Sequence, residues 1–256
     1  STSWKNTTIT LKGTCSDSGG SGCRGNVTKQ FTSDTSLSNQ SPGTVYDNAG
    51  NSAVCPANQT VKVDKTAPSC NSAGGKNNWT NQNVRITGYC SDSGSGCTGN
   101  ASKTYSSNTN TTTASPGTVK DNAGNTRVCP ANQTVRIDKR APSCTSSGGS
   151  TSWTNKSITL TGKCSDPGGS GASGCTGNAK RTYSTDTNTR NASPGTVYDR
   201  AGNSTTCPAN QTVRVDKTAP RCTTSGSTGK WTNRSVTLIG YCSDSASGCT
   251  SNTITT

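Results

Sequence analysis

The stretch Trp79–Cys97, WTNQNVRITGYCSDSGSGC, decides the fold, because near-copies of it open four successive units of the 256-residue chain. Each copy begins with a tryptophan, and the copies lie about 75 residues apart. A fixed period of this size indicates an array of small folded units rather than one large domain. The four tryptophans are Trp4, Trp79, Trp153 and Trp231.

The residues after each tryptophan alternate between two faces. In the second unit Val84, Ile86, Gly88 and Cys90 fall on one face, and polar or aromatic residues stand between them. This period of two predicts a half-buried β-strand. The rest of each unit reads as short strands between turns rich in Gly, Asn and Ser, without a helical pattern. The sequence therefore predicts an all-β fold built from β-sandwich repeats.

The composition shows what must stabilise such units. Only 25% of the residues are hydrophobic, and there is one Phe, so a single large core is excluded. Small domains with little apolar burial usually depend on disulfides, and the chain has 14 Cys. There is no His and no CxxC motif, which argues against zinc sites and redox catalysis. We therefore expect structural disulfides and an oxidising, extracytoplasmic location.

The net charge of +13 comes from Lys and Arg residues scattered over every unit. It is consistent with a soluble surface, or with attraction to an anionic partner such as a wall polymer or a glycan. Nothing resembles a nucleic-acid-binding module, and no stretch is apolar enough to span a membrane. Because the fourth unit stops halfway, we expect the chain to be a segment of a longer, processed protein.

Residues for catalysis are scarce. All twelve acidic residues are Asp, and the absence of His and Glu removes the usual general bases and the His-containing triads. We therefore do not expect this segment to be an enzyme.

Two motifs recur in the units together with the opening stretch. DNAGN stands at 47–51 and 121–125, and DKTAP stands at Asp64–Pro68 and Asp216–Pro220, with the variant DKRAP at 138–142. Together they resemble the bacterial Ig-like repeats with DKTAP linkers that are strung along large surface and secreted proteins. The many cysteines depart from the commoner cysteine-free members and suggest a disulfide-containing branch.

The resemblance covers the whole chain. It implies an all-β protein of tandem Ig-like β-sandwich domains, arranged as beads on a string. The first repeat can lack its first strand, and the fourth is partial. The expected repeats are residues 1–66, 67–140, 141–218 and 219–256.

The resemblance also implies a strand order: SDSGSG joins strands B and C, DNAGN joins F and G, and APSC opens strand A. This order suggests a disulfide pairing. The expected bridges are Cys70–Cys90, Cys144–Cys164, Cys222–Cys242, Cys23–Cys55, Cys97–Cys129 and Cys175–Cys207. Cys15 and Cys249 then remain unpaired. A competing scheme pairs sequence neighbours, such as Cys15–Cys23 and Cys55–Cys70, and leaves none over. Sequence alone does not decide between the two.

Most of the aspartates recur at three positions: the first loop, the DNAGN turn and the linker. In an Ig-like sandwich these loops lie at the end that faces the preceding linker, so the carboxylates can converge there. Clusters of oxygen ligands suit Ca²⁺. The alternative is that each Asp only caps a turn through backbone hydrogen bonds. The candidate calcium ligands are Asp64, Asp92, Asp121, Asp138, Asp166, Asp199, Asp216 and Asp244.

The sequence supports two functions of different classes. The first is a structural stalk or filament on a bacterial surface, whose half repeat at the C-terminus could be completed by another chain. Self-association into a fibre, or continuation into neighbouring repeats of a longer chain, would then be the main contact. The second is an adhesin whose copies bind glycans or host or cell-wall polymers. The four tryptophans could line a sugar-binding face, or pack at the start of strand B or against the linker.

Overall fold

The computed structural model describes residues 2–226 and 229–255. The chain divides into two compact units, which are described separately. The first contains Ser1–Asn78 and Gln82–Ile137, and the second contains Trp79–Asn81 and Asp138–Thr256.

The first repeat lies in the first unit and contains six short strands. They are β1 (Ile9–Gly13), β2 (Val27–Phe31), β3 (Thr35–Gln40), β4 (Thr44–Tyr46), β5 (Ser52–Val54) and β6 (Gln59–Val63). They form three antiparallel pairs, β1–β2, β3–β6 and β4–β5.

The second repeat, also in the first unit, has eight strands. They are β7 (Ser69–Ala73), β8 (Val84–Ser91), β9 (Cys97–Gly99), β10 (Ala101–Tyr105), β11 (Thr109–Ala114), β12 (Thr118–Asp121), β13 (Thr126–Val128) and β14 (Gln133–Ile137). One sheet has the order β10-β8-β7, a second has the order β13-β12-β9, and β11 pairs with β14. The DNAGN turn joins β12 to β13, and the SDSGSG loop joins β8 to β9, as the resemblance implies.

The second unit contains the ten strands that follow Asp138. Its strands are β15 (Ser143–Ser147), β16 (Ile158–Ser165), β17 (Ala179–Tyr183), β18 (Thr187–Ala192), β19 (Thr196–Tyr198), β20 (Ser204–Thr206), β21 (Gln211–Val215), β22 (Arg221–Ser225), β23 (Leu238–Ser243) and β24 (Thr253–Thr255). The sheets are β15-β16-β17, β18-β21, β19-β20 and β22-β23-β24. A short 3₁₀ turn, Gly169–Gly171, lies in the extended loop after β16.

A small apolar core lies between the layers of each complete repeat. In the second repeat Val84 and Ile86 of β8 pack with Ala114 of β11 and with Val135 and Ile137 of β14. The third repeat has the same arrangement, and the first has a smaller cluster. The alternation along β8 is confirmed, because Val84, Ile86 and Gly88 are buried, Cys90 is half-buried, and Arg85 and Tyr89 are exposed. The fold is therefore a series of β-sandwich repeats, as predicted.

No helix among residues 2–226 and 229–255 is both long enough and apolar enough to cross a membrane.

Six disulfides join cysteines of the described residues, and the predicted pairing is wrong. The observed bridges are Cys15–Cys23, Cys70–Cys129, Cys90–Cys97, Cys144–Cys207, Cys164–Cys175 and Cys242–Cys249. They replace the expected Cys70–Cys90, Cys144–Cys164, Cys222–Cys242, Cys23–Cys55, Cys97–Cys129 and Cys175–Cys207. The free cysteines are Cys55 and Cys222, not Cys15 and Cys249. The competing scheme is right for the four short bridges and wrong for the others.

The short bridges have a local cause. Cys90 lies near the end of β8, and Cys97 begins β9 after the SDSGSG loop. The loop turns back on itself, so the two Cα atoms are 6.1 Å apart and within disulfide range.

The two long bridges depend on a glycine in the middle strand of the sheet, where no side chain fills the space. Cys70 and Cys90 stand opposite each other in the β7–β8 register, yet the Cys70 sulfur turns inward to Cys129. It passes over Gly88, where a Cβ atom would lie 2.6 Å from Cys129 Sγ and 2.9 Å from Cys70 Sγ. Gly162 has the same place beside Cys144 and Cys207 in the third repeat. The missing side chain thus leaves the space that brings these sulfurs together.

Candidate functional site in the acidic clusters

Three aspartates from separate loops meet in the first unit. Asp64 follows β6, Asp92 follows β8, and Asp121 ends β12. One carboxylate oxygen from each lies within 4.8 Å of the other two. Asp64 and Asp121 are both only 1% exposed. The convergence expected for these three residues is therefore present.

The same arrangement occurs in the second unit. Asp138, Asp166 and Asp199 each offer an oxygen within 4.8 Å of the other two. Asp138 and Asp199 are buried, and Asp166 is half-buried. Because the two clusters occupy equivalent positions in successive repeats, the arrangement is a property of the repeat.

Backbone hydrogen bonds hold each carboxylate in place. The Ser95 N–H donates to Asp64 Oδ2 (2.6 Å), and the Gly96 N–H donates to Asp92 Oδ2 (2.7 Å). The N–H groups of Gly124 and Asn125 donate to Asp121 Oδ1 at 2.6 and 2.8 Å. Each of these aspartates therefore accepts backbone hydrogen bonds in the way that a turn-capping residue does. It does not exclude a cation, because a carboxylate oxygen can accept a hydrogen bond and bind a metal through another lone pair.

The electrostatics of the clusters favour a positive partner. The donors described for Asp64, Asp92 and Asp121 are neutral amides and a hydroxyl, which stabilise negative charge without cancelling it. In the second cluster Asp166 Oδ1 is buried and has no hydrogen-bond partner among the described residues. Like charges this close repel each other in a poorly solvated site. Asp oxygens are ligands that Ca²⁺ accepts, and the three residues would fill only part of its shell of 6–8 ligands.

An asparagine that the sequence analysis missed joins the linker to the turn. Asn125 Nδ2 donates to the Asp64 carbonyl oxygen (2.9 Å), to the Thr66 carbonyl oxygen (3.2 Å) and to Asp121 Oδ2 (2.7 Å). We call this set of bonds the linker clamp. Asn203 makes the equivalent bonds to Asp138, Arg140 and Asp199. The available signal was the final Asn of the motif, which recurs in every complete unit.

The remaining two predicted ligands do not form a third group of three among the described residues. Asp216 Oδ2 accepts from the Ser247 N–H (2.9 Å), and Asp244 Oδ1 accepts from the Ala246 N–H (2.7 Å). The side-chain hydrogen bond from Ser247 and the backbone hydrogen bonds of Ser247 and Thr218 hold the pKa of Asp216 below its usual value. Both carboxylates thus cap turns among the described residues, and calcium binding by them stays a prediction.

The tryptophans occupy different environments. Trp4 is half-buried, and Lys62 lies over its ring at 5.9 Å from the centroid. Trp153 lines an open groove of about 470 Å³ together with the linker residues Asp216–Pro220. Trp231 is fully exposed. The position of Trp153 beside a linker agrees with a packing role for that residue.

Comparisons with known proteins found a similarity among solved structures. No family model matches the sequence, and no curated protein matches it. Among solved structures the matching chains include the tetra-tandem repeat in the extending region of a large adhesion protein. The alignment has 20% sequence identity and a TM-score of 0.27, and it covers 98% of this chain and 84% of that one.

Proposed function

We propose that this chain is a structural segment of an extracellular protein, a disulfide-stabilised stalk or filament on a bacterial surface. The disulfides support the extracellular part, because such bonds persist in oxidising compartments. The motifs described above support the bacterial part. The role would be to hold other parts of a protein at a distance, or to build a fibre.

The linker clamp carries this proposal. A flexible tether would leave its backbone groups to water, but the linker after β6 is bonded to two loops of the repeat that follows it. Ser95 donates to the side chain of Asp64, and Asn125 donates to the carbonyl oxygens of Asp64 and Thr66. In this way each complete repeat fixes the linker that precedes it. A segment that keeps its direction along the chain benefits from such a linker.

Loss of the clamp should loosen the linker. We expect Asn125→Ala to speed hydrogen exchange at the Thr66 amide about tenfold, because the bonds to the carbonyl oxygens of Asp64 and Thr66 are lost. Exchange would be followed by mass spectrometry of peptides that cover residues 64–70. Asn51→Ala is the matched control, because Asn51 has the same place in its turn and donates to Asp47. We expect Asn51→Ala to leave the exchange of the linker unchanged. If Asn125→Ala also leaves it unchanged, the clamp does not hold the linker.

Calcium binding at the two clusters remains a second part of the proposal, supported by the buried, unpartnered Asp166 Oδ1. We expect CaCl₂ at ten times its Kd to stabilise the repeats by about 1.4 kcal/mol relative to EDTA, measured by calorimetry. The double variant Asp92→Asn/Asp166→Asn should abolish this gain. Asp17→Asn should keep it, because Asp17 occupies the same loop position but belongs to neither cluster. An unchanged melting curve for the unmodified protein would leave these aspartates as turn caps only.

The alternative function is adhesion, in which the repeats bind glycans or wall polymers. The net charge of +13 and the fully exposed Trp231 favour it. Binding of the intact chain to a glycan array, lost in Trp231→Ala, would support adhesion over a spacer role.

A further inference from the structure

We propose that two short disulfides, Cys90–Cys97 and Cys164–Cys175, act as redox switches for the linker that precedes their repeat. In the oxidised state each bridge keeps its loop ordered against the linker, and reduction by a small dithiol releases that linker. The proposal rests on the linker clamp of the proposed stalk, and it adds a way in which the stiffness of the linker is regulated.

The bridged loop of the second repeat is in direct contact with the linker. The Ser95 N–H donates to Asp64 Oδ2 (2.6 Å), and Ser95 itself is buried. Gly94 lies so close to the linker that a Cβ atom on it would be 2.6 Å from the same carboxylate oxygen. Cys90 and Cys97 stand at the two ends of this loop, so their bridge limits how far the loop can move away from Asp64.

The same loop also supports the turn that carries the linker clamp. The Asn122 N–H donates to the Gly96 carbonyl oxygen (2.8 Å), and Asn122 Nδ2 donates to the Ser95 carbonyl oxygen (2.9 Å). The Ala123 N–H donates to Ser95 Oγ (3.1 Å). Asn125, which donates to the carbonyl oxygens of the linker, follows two residues later. The loop therefore holds the linker both directly and through this turn.

The third repeat has the same contacts on a longer loop. The Ser173 N–H donates to Asp138 Oδ2 (2.7 Å), and the Ala201 N–H donates to Ser173 Oγ (3.2 Å). The bridge Cys164–Cys175 spans 11 residues, whereas Cys90–Cys97 spans 7. Because the contacts with the linker and the turn persist although the loop differs in length, they are a property of the bridged loop in both repeats.

The bridge matters for this loop because little else orders it. Residues 91–96 read SDSGSG and contain no apolar side chain, so the loop adds nothing to the apolar core. Without the bridge only hydrogen bonds would order the loop, and ordering a segment with two glycines has a large entropy cost. A closed loop has lost part of that freedom in advance. Reduction therefore shifts the loop towards open conformations in which its contacts with the linker are lost.

The short bridge is easier for a reductant to reach than the long bridge of the same repeat. Cys90 and Cys97 are both half-buried. In the long bridge Cys129 is only 2% exposed, and the sulfurs of Cys70 and Cys129 both lie over Gly88 on the inward side of β8. A thiolate has to reach a sulfur atom before it can exchange with a disulfide, so the short bridge should be reduced first.

The reduction is a thiol–disulfide exchange. A thiolate of the dithiol attacks one sulfur of the bridge, the S–S bond breaks, and the other cysteine leaves as a thiolate that takes up a proton. The second thiol of the dithiol then displaces the first cysteine and closes a cyclic disulfide. Two electrons and two protons thus pass from the dithiol to the bridge, and a small-molecule disulfide reverses the reaction.

The first test follows the order in which the bridges open. The free thiols of Cys55 and Cys222 are alkylated with iodoacetamide beforehand, so that they cannot exchange with the bridges. The chain is then treated with dithiothreitol for increasing times, trapped with N-ethylmaleimide and analysed by mass spectrometry of its peptides. We expect the two short bridges to open at least about tenfold faster than the two long bridges. Equal rates, or faster opening of the long bridges, would overturn the proposal.

The second test measures the linker. When only the short bridges are open, hydrogen exchange in peptides that cover residues 64–70 should be at least about tenfold faster than in the oxidised chain, while β14 stays protected. Cys90→Ala/Cys97→Ala should have the same effect without a reductant. Cys15→Ala/Cys23→Ala is the matched control, because its loop bonds to the turn of the first repeat at Asn48, and we expect no change in the linker.

The outcome is distinguishable from that of the clamp experiment. If Asn125→Ala speeds the exchange of the linker but reduction of the short bridges does not, the clamp stands and the redox switch is refuted. Equal exchange of the linker in Cys90→Ala/Cys97→Ala and in the unmodified oxidised chain would refute the switch in the same way.

Discussion

Replacing Cys70 and Cys129 with Ala should destabilise the second repeat by about 4 kcal/mol, because their bridge closes the longer of the two loops in that repeat. The two cysteines are 59 residues apart in sequence. The repeat has only a small apolar core to compensate, and Cys129 is itself buried. We therefore expect the variant to be largely unfolded in this repeat at elevated temperature.

The matched control is the short bridge of the same repeat. Cys90→Ala/Cys97→Ala opens a loop of only 7 residues, and we expect a loss of about 2.5 kcal/mol. Native-state hydrogen exchange of β8 and β14 under rising denaturant would report on this repeat alone. Equal losses in the two double variants would contradict the view that loop closure governs the stability.

Gly162→Ala should destabilise the third repeat by about 3 kcal/mol, near the upper end for overpacking. The added Cβ atom would lie 2.5 Å from Cys207 Sγ and 3.0 Å from both Cys144 Sγ and Pro194 Cγ. A disulfide is joined to the backbone at both ends, so it cannot move aside as a flexible side chain would. The loss would be measured by exchange of β16 and β21.

Two comparisons make the glycine prediction specific. Gly177→Ala lies in the same repeat with open space around it, and we expect its effect to stay within about 0.5 kcal/mol. Adding Gly162→Ala to the Cys144→Ala/Cys207→Ala variant should cost less than about 1 kcal/mol, because the sulfurs are gone. If Gly162→Ala still costs about 3 kcal/mol in the variant without the bridge, the added Cβ atom does not clash with the disulfide.

Much of the fold could be predicted from local patterns. Strand β8 stands where its alternation places it, and the other strands of the repeat stand between the turns, as predicted. Their positions are readable because side-chain alternation is a property of the extended backbone itself. The meeting of Asp64, Asp92 and Asp121 was also expected, because equivalent loops of a sandwich gather at one end.

Other features could not be read from the chain. The linker clamp requires Asn125 to reach a carbonyl oxygen 61 residues away, and the recurrence of this Asn in its turn does not reveal which group it contacts. The pairing of the disulfides was wrong for a related reason. Cys70 and Cys90 are neighbours in register, but the direction of the Cys70 sulfur depends on the space above Gly88.

The sequence by itself determined the repeat, its strands, its dependence on disulfides and the recurrence of its aspartates. These properties follow from composition and from periods of a few residues along the backbone. Only the tertiary structure decided which sulfurs join and which amide holds the linker. Each of these depends on distances of a few ångströms between strands far apart in the chain, and such distances exist only after the layers have packed.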